Sequence, residues 1–186
     1  MEDKICLITG ANSGIGYETA KNLSARGATV ILICRSEDKA KKATADIIRE
    51  IPNAKTDYAI ADLSSQNQIR ALAENILKSY EHIDVLINNA GSWFSDFRLT
   101  EDGIERQWAI NHLSPFLLTH LLLPSLKKSQ DPRVINISSD SHFHGKIHFE
   151  DVNLQHKYHG LRAYAQSKLA NVLFTLEFRE LLRNFI

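Results

Sequence analysis

This chain has no net charge of either sign, and it has no long uninterrupted apolar run. The 22 basic and 22 acidic residues cancel, so no basic field is present to attract nucleic acid or an anionic membrane. The most apolar stretch, 113–126, is interrupted by polar residues and proline, so no membrane span is predicted. Cysteine is scarce too: Cys6 and Cys34 lie in apolar runs, where buried, reduced thiols are expected.

The chain also shows no signal peptide, internal repeat or low-complexity tract. Residues 1–4 are mostly charged and lead directly into an apolar strand pattern, which does not fit a secretory leader. With 186 residues, of which 44% are hydrophobic, the chain is long enough for one domain with a core. We therefore expect a single domain over 1–186 and a cytoplasmic location.

Strand and helix patterns alternate along the chain, which predicts an α/β fold with a parallel sheet covered by helices on both faces. The predicted strands are 5–8, 29–34, 56–60, 83–87 and 134–137. The predicted helices are 14–25, 36–51, 65–80, 101–128 (as one helix or two joined ones) and 162–182. A loop is predicted from 139 to about 160, before the last helix.

A glycine-rich turn joins the first strand to the first helix. Gly10, Gly14 and Gly16 stand in the spacing Gly-x-x-x-Gly-x-Gly, directly after Thr9. Glycine lets the backbone turn sharply and lets a phosphate approach closely, and the helix that follows directs free N–H groups at it. The order strand, glycine turn, helix therefore predicts a site for a dinucleotide pyrophosphate.

Tyr164 and Lys168 stand four residues apart in the last predicted helix. Such a pair is often no more than two neighbours on one helix face. In a chain that also carries the glycine turn, it predicts a proton-transferring group beside a hydride cofactor. A phenol is ordinarily protonated near neutral pH, and a nearby ammonium favours its ionised form, so Lys168 would activate Tyr164.

From end to end, the chain resembles the short-chain dehydrogenases/reductases, which share this glycine spacing and a Rossmann-type doubly wound sheet. The run 88–91, Asn-Asn-Ala-Gly, matches a family segment that lies against the cofactor. The catalytic set that this resemblance implies is Asn111, Ser139, Tyr164 and Lys168, with Ser138 a weaker alternative to Ser139. The cofactor-binding set that it implies is Gly10, Asn12, Ser13, Gly14, Ile15, Gly16, Arg35, Asp62, Leu63, Asn89, Ala90, Gly91, Tyr164 and Lys168.

The resemblance also implies an activity, the interconversion of an alcohol and its ketone or aldehyde by hydride transfer. Tyr164 would be the general acid/base, and Lys168 would also bind the nicotinamide ribose. Ser139 would hold the substrate oxygen, and Asn111 would position a water between Lys168 and solvent. The stretches 144–149 and 167–174 resemble more closely the retinol dehydrogenase-like branch of the family.

The choice of cofactor depends on the end of the second strand. An NAD enzyme usually has an acidic residue there, but this chain has Arg35, which suits a 2′-phosphate. Glu37 lies nearby, although the first turn of a helix also explains it. NADP(H) is therefore favoured, with NAD(H) as the alternative. Asp62 could contact adenine or could cap the next helix.

Aromatic residues near the catalytic set predict an apolar substrate pocket formed by Trp93, Phe94, Ser139 and Phe143. The loop before Tyr164 also contains several histidines, at positions 142, 144, 148, 156 and 159. A metal site would require three or four converging ligands, and no cysteine or carboxylate spacing supports one, so we predict no metal. The partner would be a small apolar alcohol or carbonyl compound.

A doubly wound sheet usually has six strands, of which five can be placed, so the domain is expected to be incomplete at its C-terminus. An open apolar edge at the fifth strand and weak cofactor binding would follow. The alternative function is a catalytically silent or truncated relative that binds nucleotide for regulation. Family members commonly dimerise through two long helices, here 101–128 and 162–182, so the resemblance also implies a homodimer.

Overall fold

The structure, a computed structural model, describes residues 1–183, and the side chains through 180. Within this range lie five strands: β1 (Ile5–Thr9), β2 (Thr29–Cys34), β3 (Lys55–Ile60), β4 (Val85–Asn88) and β5 (Arg133–Asn136). The helices are α1 (Gly14–Ser24), α2 (Glu37–Glu50), α3 (Gln66–Ser79), α4 (Arg106–Trp108), α5 (Ser114–Leu126) and α6 (Gly160–Arg183). A π-helical turn, Ala109–Leu113, joins α4 to α5, and a 3-10 helix, Asp140–His144, follows β5.

The five strands form one parallel sheet in the order β3-β2-β1-β4-β5, which confirms the predicted fold class. Leu7 in β1 is paired with Ile31 on one side and Leu86 on the other. The strand order reverses direction between β1 and β4. In open α/β sheets, ligands bind at such a point, in the crevice outside the carboxyl ends of the strands.

Each face of the sheet has its own apolar core, because successive strand side chains point to opposite faces. Cys6 and Ile8 pack on one face with residues of α1 and α2. Leu7 packs on the other face with residues of α3 and α5, such as Leu72 and Leu122. This two-sided burial explains why β1 and β2 are nearly continuous apolar runs. Both thiols are free and buried, as predicted.

A buried carboxylate, Asp84, ties the start of β1 to the start of β4, at the end of the sheet away from the cleft. It accepts hydrogen bonds from Lys4 Nζ at 2.9 Å, from Ile5 N at 2.8 Å and from Ser129 Oγ at 2.5 Å. Burial alone would raise the pKa of Asp84, but these three donors together lower it to about 2.

Several predicted boundaries were wrong, each for a local reason. The long helix begins at Arg106 instead of residue 101, because 100–105 form a turn in which Gly103 has φ +73° and Thr100 Oγ1 accepts from two backbone N–H groups. The loop from 139 contains the 3-10 helix, whose N-cap Ser139 accepts a hydrogen bond from the N–H of Ser141 through its Oγ. β4 begins at Val85 instead of residue 83. The residue before it, Asp84, binds the N–H of Ile5 through its side-chain carboxylate.

Candidate active site

A cleft of about 870 Å³ opens at the carboxyl ends of β1, β4 and β5. It brings together most of the residues that the sequence singled out. The predicted residues that line it are Gly10, Asn12, Ser13, Ile15, Arg35, Asp62, Leu63, Asn89, Ala90, Gly91, Trp93, Phe94, Ser139, Tyr164 and Lys168. Four predicted residues are not part of its lining: Gly14, Gly16, Asn111 and Phe143.

The glycine turn has the backbone geometry that its composition predicts. Gly10 and Gly14 have φ of +67° and +57°, the left-handed region that side chains with a Cβ rarely adopt. Gly16 permits close packing of α1, because a Cβ there would lie 2.5 Å from Asn89 Nδ2 and 2.6 Å from the Gly10 carbonyl oxygen. The side chain of Ser13, the N-cap of α1, makes no capping hydrogen bond. The first N–H groups of α1 therefore remain available to an anion in the cleft.

Thr9 and Asn89 join the ends of β1 and β4 beneath the cleft. Thr9 Oγ1 accepts from the backbone N–H groups of Asn89 and Ala90 at 3.0 and 2.9 Å, and Asn89 Nδ2 donates to the Thr9 carbonyl at 2.9 Å. Thr9 precedes the first glycine of the motif, and the motif alone assigns it no specific role. Its role in the structure is to hold the glycine turn against the segment that starts at Asn89.

Lys168 is a buried cation in this cleft, with only 3% of its surface exposed. Burial lowers the pKa of Lys168 below its usual value. Nζ donates to the Ile137 carbonyl at 3.0 Å and lies 5.5 Å from the centre of the Tyr164 ring. A Cβ on Gly91 would come within 3.2 Å of Nζ, so a glycine there leaves room for the ammonium group.

The two candidate serines differ in their contacts. Ser138 Oγ donates to the Lys168 carbonyl at 2.9 Å and thereby ties the end of β5 to α6. Among the described residues, the hydrogen bonds of Ser139 Oγ are to its neighbour Ser141, through the backbone N–H at 3.2 Å and the hydroxyl at 3.3 Å. Ser139 is therefore the serine whose hydroxyl has the weaker competing contacts, which favours it as the substrate-binding one.

Asn111 lies in the π-helical turn and is fully buried. Its Nδ2 donates to the Ser92 carbonyl at 2.9 Å and to Ser167 Oγ at 3.1 Å, while Oδ1 accepts from the Ser92 N–H at 2.8 Å. Its backbone carbonyl accepts from Asn171 Nδ2 at 2.8 Å. These contacts are all with protein groups, so the role as a water-positioning residue stays a prediction.

At the far end of the cleft from Lys168, Arg35 is exposed and adjoins Cys34 at the end of β2. The Cys34 sulfur accepts hydrogen bonds from the N–H groups of Ala11 and Asn12, but burial is the larger effect and raises the pKa of this thiol to about 11. Asp62 Oδ1 accepts from the N–H and the hydroxyl of Ser64 at 2.9 and 2.7 Å, a local turn contact. The N-cap of α3 is Ser65, whose Oγ accepts from the N–H of Gln68, so Asp62 stabilises the turn before the helix instead of capping it.

The aromatic pocket differs from the predicted one. Trp93 and Phe94 line the cleft, with Trp93 52% exposed, whereas Phe143 is 76% exposed and lies outside the lining. The 3-10 helix explains this, because Phe143 lies on it and stacks on His142 instead. Arg106 takes a place in the lining that the sequence did not predict.

Within residues 1–183, no group of three or more His, Cys, Asp or Glu side chains is arranged to hold a metal ion. No helix in this part of the chain is both long and apolar enough to cross a membrane.

Known proteins resemble this chain over most of its length. A family model for short chain dehydrogenases matches residues 4–185. Retinol dehydrogenase 13 of Homo sapiens is 47% identical over 175 residues, which are 94% of this chain and 53% of that protein. The chain spans about half the length of the curated relatives it matches.

Solved structures agree with the sequence comparison. An uncharacterised protein from Mycobacterium paratuberculosis has a TM-score of 0.88 at 40% identity, covering 98% of this chain and 64% of that one. A short chain dehydrogenase from Shigella flexneri, solved with NADP, has a TM-score of 0.77 at 28% identity, covering 97% and 72%. The glycine turn, the five-stranded sheet and these matches together show that this chain belongs to the short-chain dehydrogenase family, as its resemblance to retinol dehydrogenases indicated.

Proposed function

We propose that this protein is an NADP(H)-dependent oxidoreductase that interconverts an apolar alcohol and its ketone or aldehyde, with Tyr164 as the general acid/base. The observation that carries the proposal is the convergence of Tyr164, Lys168 and Ser139 with the glycine turn in one cleft. Its volume, about 870 Å³, lies within the range of ligand pockets.

The residues of the cleft fit a dinucleotide. The uncapped N–H groups at the start of α1 suit its pyrophosphate, and the left-handed Gly10 and Gly14 keep side chains away from it. Lys168 is a buried ammonium with three donors, of which the structure records one hydrogen bond, so donors remain for ribose hydroxyls. When bound, the nicotinamide would accept the hydride that a carbinol carbon loses, or return it to a carbonyl carbon.

The proton follows a separate route through the protein. In alcohol oxidation Tyr164 would take the hydroxyl proton as the carbon loses its hydride, and in carbonyl reduction Tyr164 would return it to the oxygen. Lys168 lies one turn further along α6, with Nζ 5.5 Å from the centre of the Tyr164 ring, so the two groups share one end of the cleft. Ser139 would donate a hydrogen bond to the substrate oxygen and so fix its position relative to Tyr164.

The preference for NADP(H) over NAD(H) rests on Arg35. Its exposed guanidinium follows β2 directly, where a 2′-phosphate would lie in a doubly wound fold. Glu37, the competing carboxylate, is half-exposed and pairs with Lys41 at 2.8 Å on the next turn of α2. Two of the similar solved structures, from Shigella flexneri and from a metagenome, are described as complexes with NADP, which supports the same choice here.

The test is to follow NADPH oxidation and NADP⁺ reduction with a panel of apolar aldehydes and alcohols. Tyr164→Phe should abolish turnover and leave the thermal shift produced by NADPH intact, because it removes only the hydroxyl. Arg35→Ala should weaken NADPH binding and leave NADH binding unchanged. Turnover that survives Tyr164→Phe would refute the mechanism, and equal loss of both cofactors in Arg35→Ala would refute the cofactor preference.

A second candidate function is nucleotide binding without turnover. The observation that favours it is that Ser139 Oγ, the proposed substrate-binding hydroxyl, is hydrogen-bonded to Ser141, whereas the side chain of Ser13 makes no capping hydrogen bond at the start of α1. The pyrophosphate site is therefore open, while the serine that would hold a substrate oxygen has a protein partner. A clear thermal shift with NADPH, combined with no turnover of any compound in the panel, would favour this candidate.

A further inference from the structure

We propose that Arg106 binds a carboxylate at the substrate end of the cleft, so that the substrate is an apolar alcohol or carbonyl compound with an acid group remote from its reacting carbon. The reaction at the other end of such a substrate rests on the proposed function. The binding of the carboxylate by Arg106 does not, and it can be measured without turnover.

Arg106 occupies the substrate side of the cleft. It lines the same cavity as Tyr164 and Ser139, and its guanidinium lies over the ring of Phe94. A guanidinium group at this place changes the character of the predicted pocket, in which the sequence had placed only aromatic and hydroxyl side chains. The pocket is therefore amphipathic, with the Arg106 guanidinium against the Phe94 ring in addition to the Lys168 ammonium.

The guanidinium is held in a fixed plane. Arg106 Cζ lies 3.4 Å above the centre of the Phe94 ring, a stacked cation–π contact. Phe94 is itself fixed, because its backbone N–H donates to Gln107 Oε1 at 3.1 Å and its carbonyl accepts from Gln107 Nε2 at 3.3 Å. Gln107 is fully buried and also binds the Gly160 carbonyl at 3.1 Å. Stacking occupies the face of the guanidinium and leaves its in-plane N–H groups for acceptors.

Those N–H groups are incompletely paired. Arg106 Nη2 meets Asp96 Oδ1 at 3.3 Å, a long contact to a half-exposed carboxylate. The other oxygen of Asp96 binds Arg98 Nε at 2.5 Å. Arg106 Nε is buried and has no hydrogen-bond partner among the described residues. Since Nε has no accessible surface and Nη2 has only the long contact with Asp96, the donors that can meet a ligand in the cleft are those of the terminal amino groups.

The other nearby carboxylate, Glu105, already has its own donors. Its oxygens accept from the N–H groups of Gln107 and Trp108 at 3.0 and 2.7 Å and from the Tyr158 hydroxyl at 3.0 Å. Glu105 is buried as the N-cap of α4, so these contacts commit its carboxylate to the helix end. A neutral substrate would leave the Arg106 donors unsatisfied, whereas a carboxylate can accept two parallel N–H bonds from one guanidinium.

The experiment compares two probes of equal chain length, octanoate and 1-octanol, in the presence of NADP⁺. Binding is followed by intrinsic fluorescence in a Trp108→Phe background, so that the signal comes from Trp93, which lines the cleft. Wild-type protein should bind octanoate at least about tenfold more tightly than 1-octanol, as expected for a charge-assisted hydrogen bond. The preference should weaken at high salt.

Three variants show whether Arg106 causes that preference. Arg106→Met should abolish it while 1-octanol still binds, and Arg106→Lys should retain part of it. Arg98→Met is the matched control, because Arg98 also pairs with Asp96 but is 67% exposed and lies outside the cleft lining. This control should keep the full preference. An NADPH-induced thermal shift in each variant shows that the fold is intact.

Equal binding of the two probes to wild-type protein, or binding of neither, would overturn the proposal. So would a preference for octanoate that survives Arg106→Met. If octanoate is preferred through Arg106 but no carbonyl compound is turned over, the oxidoreductase function fails and the carboxylate site stands. If apolar aldehydes are turned over with no preference for acid-bearing ones, the oxidoreductase function stands and the carboxylate site fails.

Discussion

Gly16→Ala is a decisive substitution because two physical effects predict opposite signs for it. Gly16 lies inside α1, where alanine is intrinsically better than glycine by about 1 kcal/mol. The added methyl group, however, would lie 2.5 Å from Asn89 Nδ2, 2.6 Å from the Gly10 carbonyl oxygen and 3.1 Å from Ala11 Cα. Two of these three contacts are with backbone atoms, which cannot rotate away.

The size of the clash decides which effect is larger. If Asn89 moves aside, its hydrogen bond to the Thr9 carbonyl is lost, at about 1 kcal/mol. The contact with Gly10 remains, and overpacking of this kind costs about 1–3 kcal/mol. After the gain in helix propensity, we expect a net loss of about 1–3 kcal/mol. For a chain of this length that lowers Tm by about 2–12 °C.

The assay is thermal and urea unfolding of Gly16→Ala, with Gly14 as the matched control position. Gly14 has φ +57°, and a Cβ added there would have no atom within 4 Å, so only backbone strain opposes a side chain. Asparagine tolerates that conformation better than alanine, so Gly14→Asn should be milder than Gly14→Ala. At position 16 the order should invert, because the larger side chain clashes more. A Gly16→Ala protein as stable as the wild type would refute the argument.

Three further outcomes are expected. The folded-state pKa of Asp84 is depressed to about 2, so its contribution to stability is full above the unfolded-state pKa of 3.8 and is lost as the pH falls towards 2. Asp84→Asn should therefore flatten the pH dependence of stability between these two values, as measured by urea unfolding. Because burial raises the pKa of both Cys6 and Cys34 to about 11, iodoacetamide at pH 8 should label neither thiol until urea unfolds the chain, as read by mass spectrometry. If α6 forms a dimer contact, the double variant Leu173→Glu/Leu176→Glu should be monomeric in size-exclusion chromatography where the wild type is dimeric, since these two side chains are 48% and 52% exposed.

The features that the sequence predicted well are those set by local patterns. The apolar runs of β1 and β2 identify strands buried on both faces, and their parallel pairing follows from the helices between them. The glycine spacing identifies the turn, because Gly10 and Gly14 need a left-handed backbone that few other residues adopt. The strand runs and the glycine turn are each read from one short stretch of sequence, and the pairing of β1 with β2 from the single helix between them.

The features that the sequence missed depend on contacts between distant segments. The sequence did not predict Arg106 in the cleft lining, because the Phe94 ring on which it stacks is held by Gln107, which also binds Gly160, 53 positions later. Phe143 was wrongly predicted in the lining, because it lies on the 3-10 helix and stacks on His142. Hydrophobic periodicity gives no sign of such contacts, and an arginine at the start of a helix is ordinarily assigned to the surface. One sequence signal of these contacts was present. The residues from Glu105 to Gln107 are all polar, although they stand where a helix enters the core.

The π-helical turn shows how such distant contacts hold the candidate catalytic residues. Asn111, in that turn, binds both backbone groups of Ser92 and the hydroxyl of Ser167. Ser92 follows Gly91, whose missing Cβ leaves room for the Lys168 ammonium, and Ser167 precedes Lys168 on α6. Asn111 therefore joins the two segments that enclose Lys168. Loss of its amide should displace the ammonium relative to Tyr164, even if Asn111 never contacts a water, because the two walls around Lys168 would no longer be tied together.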